Sequence, residues 1–394
     1  MLIGQKITIL GAGIAGLSAA LALSLRGAQV TVLEQAEAIR EVGAGIQVSP
    51  NGFAVLNALG VGAALKARAV RAVAVELRDY RAGRHVMTVD LSSLPEGQDY
   101  FFVHRSDLVE VLAEATRAAG ARINLLQQVE AIEDHGEEGF EVRTALGGCH
   151  KAQILLGADG VHSKLRTVLN GPAEPFFTGQ VAWRATIPAS PAIAERRVKV
   201  FMGPHRHVVM YPLREGQLMN IVAVQERRDW TAESWTQEDS PENLLRAFAD
   251  FDGEVKGWLS RVETVHQWGL FRHPVARHWY RGSAAILGDA AHPTLPFLAQ
   301  GACMALEDAW VLAESLSNAE TPESGFAAYQ SQRLKRVPRV IEAANKNAYR
   351  YHLSFPPLRL AAHTALRLAG NLAPGAAVKQ FDWLYGLDVT KGAA

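Results

Sequence analysis

Between Lys6 and Gln35 the chain reads KITILGAGIAGLSAALALSLRGAQVTVLEQ: a strand, a glycine-rich turn, a helix and a second strand in succession. Ile7, Thr8, Ile9 and Leu10 have the composition of a buried strand. Gly11, Gly13 and Gly16 follow in the order G-x-G-x-x-G, then a helix-forming run from Leu17 to Leu25, then Gly27 and a strand from Gln29 to Leu33. Glu34 closes that strand, 18 residues after Gly16. Each part has a physical task. Gly11 makes the tight turn, Gly13 lets a pyrophosphate approach the backbone, and Gly16 lets the helix pack close to the sheet. The helix start offers N–H groups and the positive end of its dipole to phosphates. Glu34 is placed to accept both hydroxyls of a ribose and to repel a 2′-phosphate. The unit predicts an α/β domain that holds a dinucleotide. The plainer alternative is a glycine-rich turn with no ligand.

The surrounding chain narrows the class. Its 394 residues predict two to three domains. Forty basic residues balance forty acidic ones, so no overall field draws the protein to nucleic acid or to an anionic membrane. No basic stripe with interleaved aromatics argues for nucleic acid either. Cys149 and Cys303 share no metal-ligand spacing, and so few cysteines argue against a disulfide framework. Both are expected to be buried bystanders in a cytoplasmic protein without a structural metal. Lys6 to Leu25 has the outline of a signal peptide, but three glycines interrupt its apolar core and no small-x-small cleavage site follows. Later apolar stretches are broken by charge. Neither a signal nor a membrane span is expected.

Beyond the first unit, Ala36 to Asn51 reads as loop and Gly52 to Lys66 as helix. Val73 to Leu91 alternates as strands about a turn at Ala82–Gly83, and Arg105 to Ala119 is a helix with Leu108, Leu112 and Ala115 on one face. Short strands are expected at Ile123 to Gln127, Val129 to Glu133, Phe140 to Ala145 and Ile154 to Leu156. From Gly179 the pattern becomes sheet-rich, with strands at Gln180 to Ile187, Arg197 to Met202, His207 to Leu213 and Gln217 to Gln225. Pro241 to Leu259 is helical, Ser283 to Leu287 a buried strand, and Gly301 to Ser317 and Gly325 to Tyr351 are helices, with a kink expected at Pro338.

Two further strands also run into glycine-rich turns. Ile154 to Leu156 leads into GADGVHSKLR (157–166), and Ser283 to Leu287 leads into GDAAHP (288–293). In each, an Asp beside glycine stands at a strand's carboxyl end, where open α/β sheets bind ligands. Together GAGIAG with Glu34, GADGVHSKLR and GDAAHPTLPFLAQGACMALEDA resemble the single-component flavoprotein aromatic hydroxylases, the family of p-hydroxybenzoate hydroxylase. AWRATIP (182–188) and the closing FDWLYGLD (381–388) look closest to the salicylate hydroxylase, 3-hydroxybenzoate 6-hydroxylase and 6-hydroxynicotinate 3-monooxygenase branch.

That resemblance implies FAD as resident cofactor, NADH or NADPH as a transient visitor, O2 as co-substrate and a C4a-hydroperoxide of the flavin as oxygen donor. Gly11, Gly13, Ala15 and Gly16 would hold the pyrophosphate, with Glu34 and Gln35 at the adenosine. Arg40 and Gly45, Ile46 and Gln47 would lie along the FAD. Arg105 would contact the flavin, Val129 the adenine end, and Asp159 both FAD and the nicotinamide. Asp289 would bind the ribitol, while Gly301 and Ala302 would meet the isoalloxazine. The implied architecture is a Rossmann-like FAD domain (1–72, 100–178, 280–320) with an inserted substrate-binding sheet (73–99, 179–279) and a C-terminal helical segment (321–394). A small aromatic substrate and a monomer or homodimer complete the expectation.

An aromatic hydroxylase needs its phenol ionised, because a phenolate is a far better nucleophile, and it needs a dry, positioning pocket. His207 and Tyr211 are four apart on one expected strand and therefore share a face. In the resembling branch a His and a Tyr at this spacing serve the substrate hydroxyl. His207 is expected to be the base, with Tyr211 positioning the substrate or relaying its proton. His205 alternates with them and is a rival. Pro296 and Phe297 stand where relatives often carry a polar residue, which suggests a more apolar pocket and a larger or less polar phenol than the simple hydroxybenzoates. Arg184 would meet an acid group or a structural partner, His292 is read as structural, and Trp230, Trp235, Trp258, Trp268 and Trp279 as packing. Two other readings stay open: an epoxidase or tailoring oxygenase on a larger phenol, and a flavin-binding protein without turnover.

Overall fold

The computed structural model describes residues 2–39, 44–190, 195–227, 229, 231, 233 and 237–392. Its first layer is a six-stranded sheet in the order Tyr280–Arg281, Ala284–Ile286, Ile154–Gly157, Lys6–Leu10, Gln29–Leu33, Arg122–Asn124. All neighbours are parallel except the first pair. The three strands that end in glycine-rich turns are therefore adjacent, and the turns line one edge. The helix Ile14–Ser24 is apolar on every side, and it is correspondingly enclosed between helices Arg105–Ala118 and Gly301–Ser317.

The second layer is an eight-stranded sheet. Its order is Glu238–Asp239, Val265–Arg272, Phe176–Pro188, Leu218–Glu226, Arg206–Leu213, Arg197–Gly203, Ala74–Asp79, His85–Asp90. Alternation sorts its side chains. Val208 and Met210 join Trp183, Phe201, Phe248 and Trp258 in one core, beneath helices Pro241–Ala247 and Gly253–Leu259. His207, Val209 and Tyr211 turn to the opposite face, where Tyr211 belongs to the main core. A three-stranded sheet, Gly45–Val48 with Phe101–His104 and Val70–Arg71, bridges the layers. There the Gly45 amide donates to Asn220 Oδ1 at 2.7 Å, and the Phe102 ring lies 5.2 Å from that of Tyr211.

Several local expectations are corrected. The supposed loop 36–51 contains the strand Gly45–Val48, and a helix starts at Pro50. The helix read over 52–66 is two, Pro50–Ala58 and Gly62–Lys66, separated where Gly60 takes φ +77°. Strand Ile123 to Gln127 shortens to Arg122–Asn124, and the helix at 241–259 divides into two. Strands Cys149–Ala152 and Val265–Arg272 went unforeseen. Pro338 does not kink a long helix; it occupies the first turn of Val337–Tyr351, where its missing N–H costs nothing. Cys149 is exposed, and only Cys303 is buried. Trp258, Trp268 and Trp279 are buried as expected, whereas Trp230 and Trp235 lie outside the described residues. Among the described residues no helix is long and apolar enough to cross a membrane.

Candidate active site

The first turn is built so tightly that side chains are excluded from it. Gly11 takes φ +95°, and a Cβ there would lie 2.5 Å from the Ala158 carbonyl oxygen. A Cβ on Gly16 would meet the Gly11 carbonyl oxygen at 1.9 Å. Gly13 is the residue before the helix and gives it no side-chain cap, so the first amides stay open for an anion, with Ala15 among them. Glu34 is fixed beside them: its Oε2 accepts from the Ala12 amide at 2.6 Å and its Oε1 from the Ala36 amide at 2.9 Å. Backbone bonds from Leu126 to Ala36 and from Gln127 to Glu34 bring Val129 to the same corner, next to the exposed Gln35.

The second and third turns flank this corner. Asp159 Oδ2 accepts from the Lys164 amide at 2.8 Å, at the start of helix Lys164–Asn170. Asp289 is exposed to solvent at the strand end, yet enough protein lies around it to desolvate its carboxyl. That enclosure raises its carboxyl above the usual range, while the charges of His292 and Arg105 pull the other way. The third turn is itself anchored from helix Gly301–Ser317. Asp308 Oδ2 accepts from the Gly288 amide at 2.9 Å and lies 2.5 Å from His292 Nε2, and Asp308 Oδ1 accepts from Arg333 Nε at 2.6 Å. Burial alone would raise Asp308; His292 and Arg333 outweigh it and hold the carboxyl below its usual value. His292 is thus structural, as its loop position suggested. Gly301 and Ala302 form the first, half-buried turn of that helix. Gln300 before them makes no cap, because its amide is engaged with Ser49 and Asn51. Open helix starts, the acid Glu34 at the strand end and the exposed carboxylate of Asp289 suit the phosphates and polyol of an FAD. Arg40 lies outside the described residues.

The second sheet turns the face that carries His207 and Tyr211 toward the first layer, where Tyr211 joins the main core. Both are buried, at 2% and 3% exposure. Burial, first of all, holds His207 well below its ordinary value, so the imidazole is neutral. Burial raises the Tyr211 phenol above its own, against a smaller pull from Arg184 and a hydrogen bond with Gln47, so Tyr211 keeps its proton. Of the two, only the neutral imidazole of His207 is basic enough to take up a proton; the Tyr211 hydroxyl can donate or position. Gln47 ties Tyr211 to the bridging sheet by a side-chain hydrogen bond, and its Oε1 also accepts from the Tyr100 hydroxyl at 2.7 Å. Gly45 admits no side chain, because a Cβ would stand 2.6 Å from the Tyr211 ring. Ile46, its neighbour, packs against the main core.

His205 does not share that face. Pro204 and His205 form the two-residue turn between paired Gly203 and Arg206, with His205 at φ +59°. Its ring points out to Glu226. The rival base is therefore eliminated by the turn, which breaks the alternation. Phe297 is buried with its ring 5.7 Å from that of His207, while Pro296 is exposed. Arg184 stacks on Trp268, 4.8 Å from guanidinium carbon to ring centre. Two neighbours of His207 escaped sequence reasoning: Tyr351, ring centres 5.2 Å apart, and His352, 4.9 Å apart. Both end the helix Val337–Tyr351, some 145 residues along the chain, and no local spacing marks them.

Comparison with known proteins agrees with this geometry. Residues 5–344 match the family described as FAD binding domain. The chain is 34% identical over 390 residues to 3-amino-4-hydroxybenzoate 2-monooxygenase of Streptomyces platensis, covering 97% of this chain and 96% of that protein. It is 34% identical over 399 residues to 3-hydroxybenzoate 6-hydroxylase of Polaromonas naphthalenivorans, with the same 97% and 96%. Among solved structures, Klebsiella pneumoniae HpxO complexed with FAD and uric acid superposes with TM-score 0.84 at 26% identity, covering 95% of this chain and 96% of that one.

Proposed function

This chain belongs to the FAD-binding family of aromatic-ring monooxygenases, and on that premise we propose that it hydroxylates a single-ring phenol of the hydroxybenzoate class, with His207 as base. It is an FAD-dependent monooxygenase that draws electrons from NADH or NADPH and oxygen from O2. When bound, FAD supplies the redox chemistry that delivers one oxygen atom to the ring. The chain's own residues have other tasks. Gly11, Gly13, Ala15, Gly16, Glu34, Gln35 and Val129 would hold the nucleotide half. Gly45, Ile46, Gln47, Arg105, Asp159, Asp289, Gly301 and Ala302 would lie along the remainder, Arg40 completing the set. His207, neutral and buried, takes the proton from the phenol oxygen, and Tyr211 orients that oxygen. Phe297 closes one wall and excludes water.

The observation that carries this reading is the pairing of a depressed His207 with an elevated Tyr211 on one buried face. Phe297 also bears on substrate size. It packs with Leu295 and Trp268 and fills space, which favours a compact ring over a polycyclic one. A reducing, cytoplasmic setting suits the two unpaired cysteines. The test is His207→Ala in FAD-loaded enzyme. Flavin content and substrate binding are expected to stay near normal. Hydroxylation should fall by about 10²–10⁴-fold, with reducing equivalents diverted to hydrogen peroxide. Parent-like hydroxylation by this variant would remove His207 from the role.

A further inference from the structure

A buried base of depressed basicity is a poor resting place for a proton, and His207 does not stand alone. Its Nδ1 is 2.7 Å from Nε2 of His352. The other nitrogen of His352, Nδ1, is 2.8 Å from Oε1 of Glu226. The second oxygen of Glu226 is 2.6 Å from Nδ1 of the turn residue His205. Exposure rises along this series: 2% for His207, 2% for the His352 side chain, 38% for Glu226 and 58% for His205. The series crosses from the interior of the site to solvent, over the end of the hairpin.

The chemistry of its outer member fixes the rest. Hydrogen bonds from His352, and then from His205, outweigh partial burial and keep Glu226 below the usual carboxylate range, so it only accepts. A neutral His352 that faces this acceptor carries its proton on Nδ1, which leaves Nε2 as an acceptor. His207 must in turn donate from Nδ1, which leaves its lone pair on Nε2. Among the described residues the hydrogen bond of the His207 ring is made at Nδ1, and the rings of Phe297 and Tyr351 lie 5.7 and 5.2 Å from it, centre to centre. We propose that Glu226 and His352 are positioning residues that set the tautomer of His207 and lead the substrate proton to the surface. This rests on the reading of His207 as base.

The balance is closed. The phenol O–H breaks and its proton joins His207 Nε2. The Nδ1 proton of His207 passes to His352 Nε2, and the Nδ1 proton of His352 passes to Glu226, which releases it to water. The same path in reverse reprotonates a product phenolate and restores both tautomers. A residue that merely props the hairpin would do none of this. The His352 carbonyl also accepts from the His205 amide, and that prop survives any change to the ring.

The test uses FAD-loaded enzyme with ¹⁵N-labelled histidine rings, observed by long-range ¹H–¹⁵N correlation near neutral pH. His207→Gln and His352→Gln assign the two signals. The parent is expected to show both rings neutral with the proton on Nδ1. Glu226→Gln, at the surface, should keep its flavin, blur that single-tautomer pattern, and lower kcat for the best phenol of a hydroxybenzoate panel about tenfold; Glu226→Asp should recover part of both. A parent His207 with its proton on Nε2, or Glu226→Gln with parent tautomers and parent kcat, would overturn the proposal. The two readings separate cleanly. Parent-like hydroxylation by His207→Ala removes the base itself. An inactive His207→Ala with parent behaviour in Glu226→Gln removes only the relay.

Discussion

His207 couples chemistry to stability. Its imidazole is neutral in the folded protein well below its ordinary value of 6.5, whereas in the unfolded chain it takes up a proton near that value. Below about pH 6.5 the unfolded state therefore holds more protons, and stability falls as pH falls, by up to about 1.4 kcal/mol per pH unit from this one group. His207→Gln is expected to flatten that part of the slope, read from urea midpoints of parent and variant across the acid range. Gly45 is a second sensitive position. A methyl there would stand 2.6 Å from the Tyr211 ring and 2.8 Å from the Asn220 side chain. Gly45→Ala should displace Tyr211 and cost roughly 10²-fold in kcat/KM, since an ångström of misplacement at a reacting centre costs about that much. Steady-state kinetics on the flavin-loaded variant would check it.

Helix Gly301–Ser317 fastens the cofactor turn to the C-terminal segment. Asp308 holds the Gly288 amide, His292 and Arg333, and Glu307 holds Asn51, Arg333 and Arg336. Arg336 reaches on to the carbonyls of Trp383 and Leu384. Asp308→Asn would leave His292 buried without its anion and Arg333 with Glu307 as its remaining carboxylate. A loss of about 3–5 kcal/mol is expected, measured by denaturant unfolding, together with a weaker hold on flavin. The same scale explains what was legible in advance. The first strand–turn–helix was plain because apolar period, glycines and acid all agreed. Strand Cys149–Ala152 was hidden because it is a mostly exposed edge of polar residues, and Val265–Arg272 because His266 and Gln267 interrupt its apolar pattern. His207 and Tyr211 were readable from strand alternation, but the turn at Pro204–His205 that disqualifies His205 was not. His352 and Glu226 were invisible, since only the tertiary fold brings a helix end onto a hairpin.

At the scale of the molecule, two layers meet through the bridging sheet, and the crevice for cofactor and substrate is proposed to lie between them. One presents three glycine-rich turns on adjacent parallel strands, and the other presents a buried base and phenol on an antiparallel sheet. The bridging strand Gly45–Val48 touches both: the Gly45 amide and the Gln47 side chain meet the antiparallel sheet, and the Gln47 carbonyl accepts from Cys303 of the helix that follows the third turn. Flavin and substrate would meet in that crevice, which is why ionisation of the substrate and exclusion of water belong to the sheet while redox chemistry belongs to the turns. The most direct measurement is oxidation of NADH and NADPH by the purified yellow protein, with peroxide and product counted, against a panel of hydroxybenzoates and hydroxypyridines. The expected result is oxidation stimulated strongly by one single-ring phenol, with product close to stoichiometric and little peroxide. Bound flavin that no phenol of the panel stimulates, or purified protein that holds no flavin, would contradict it.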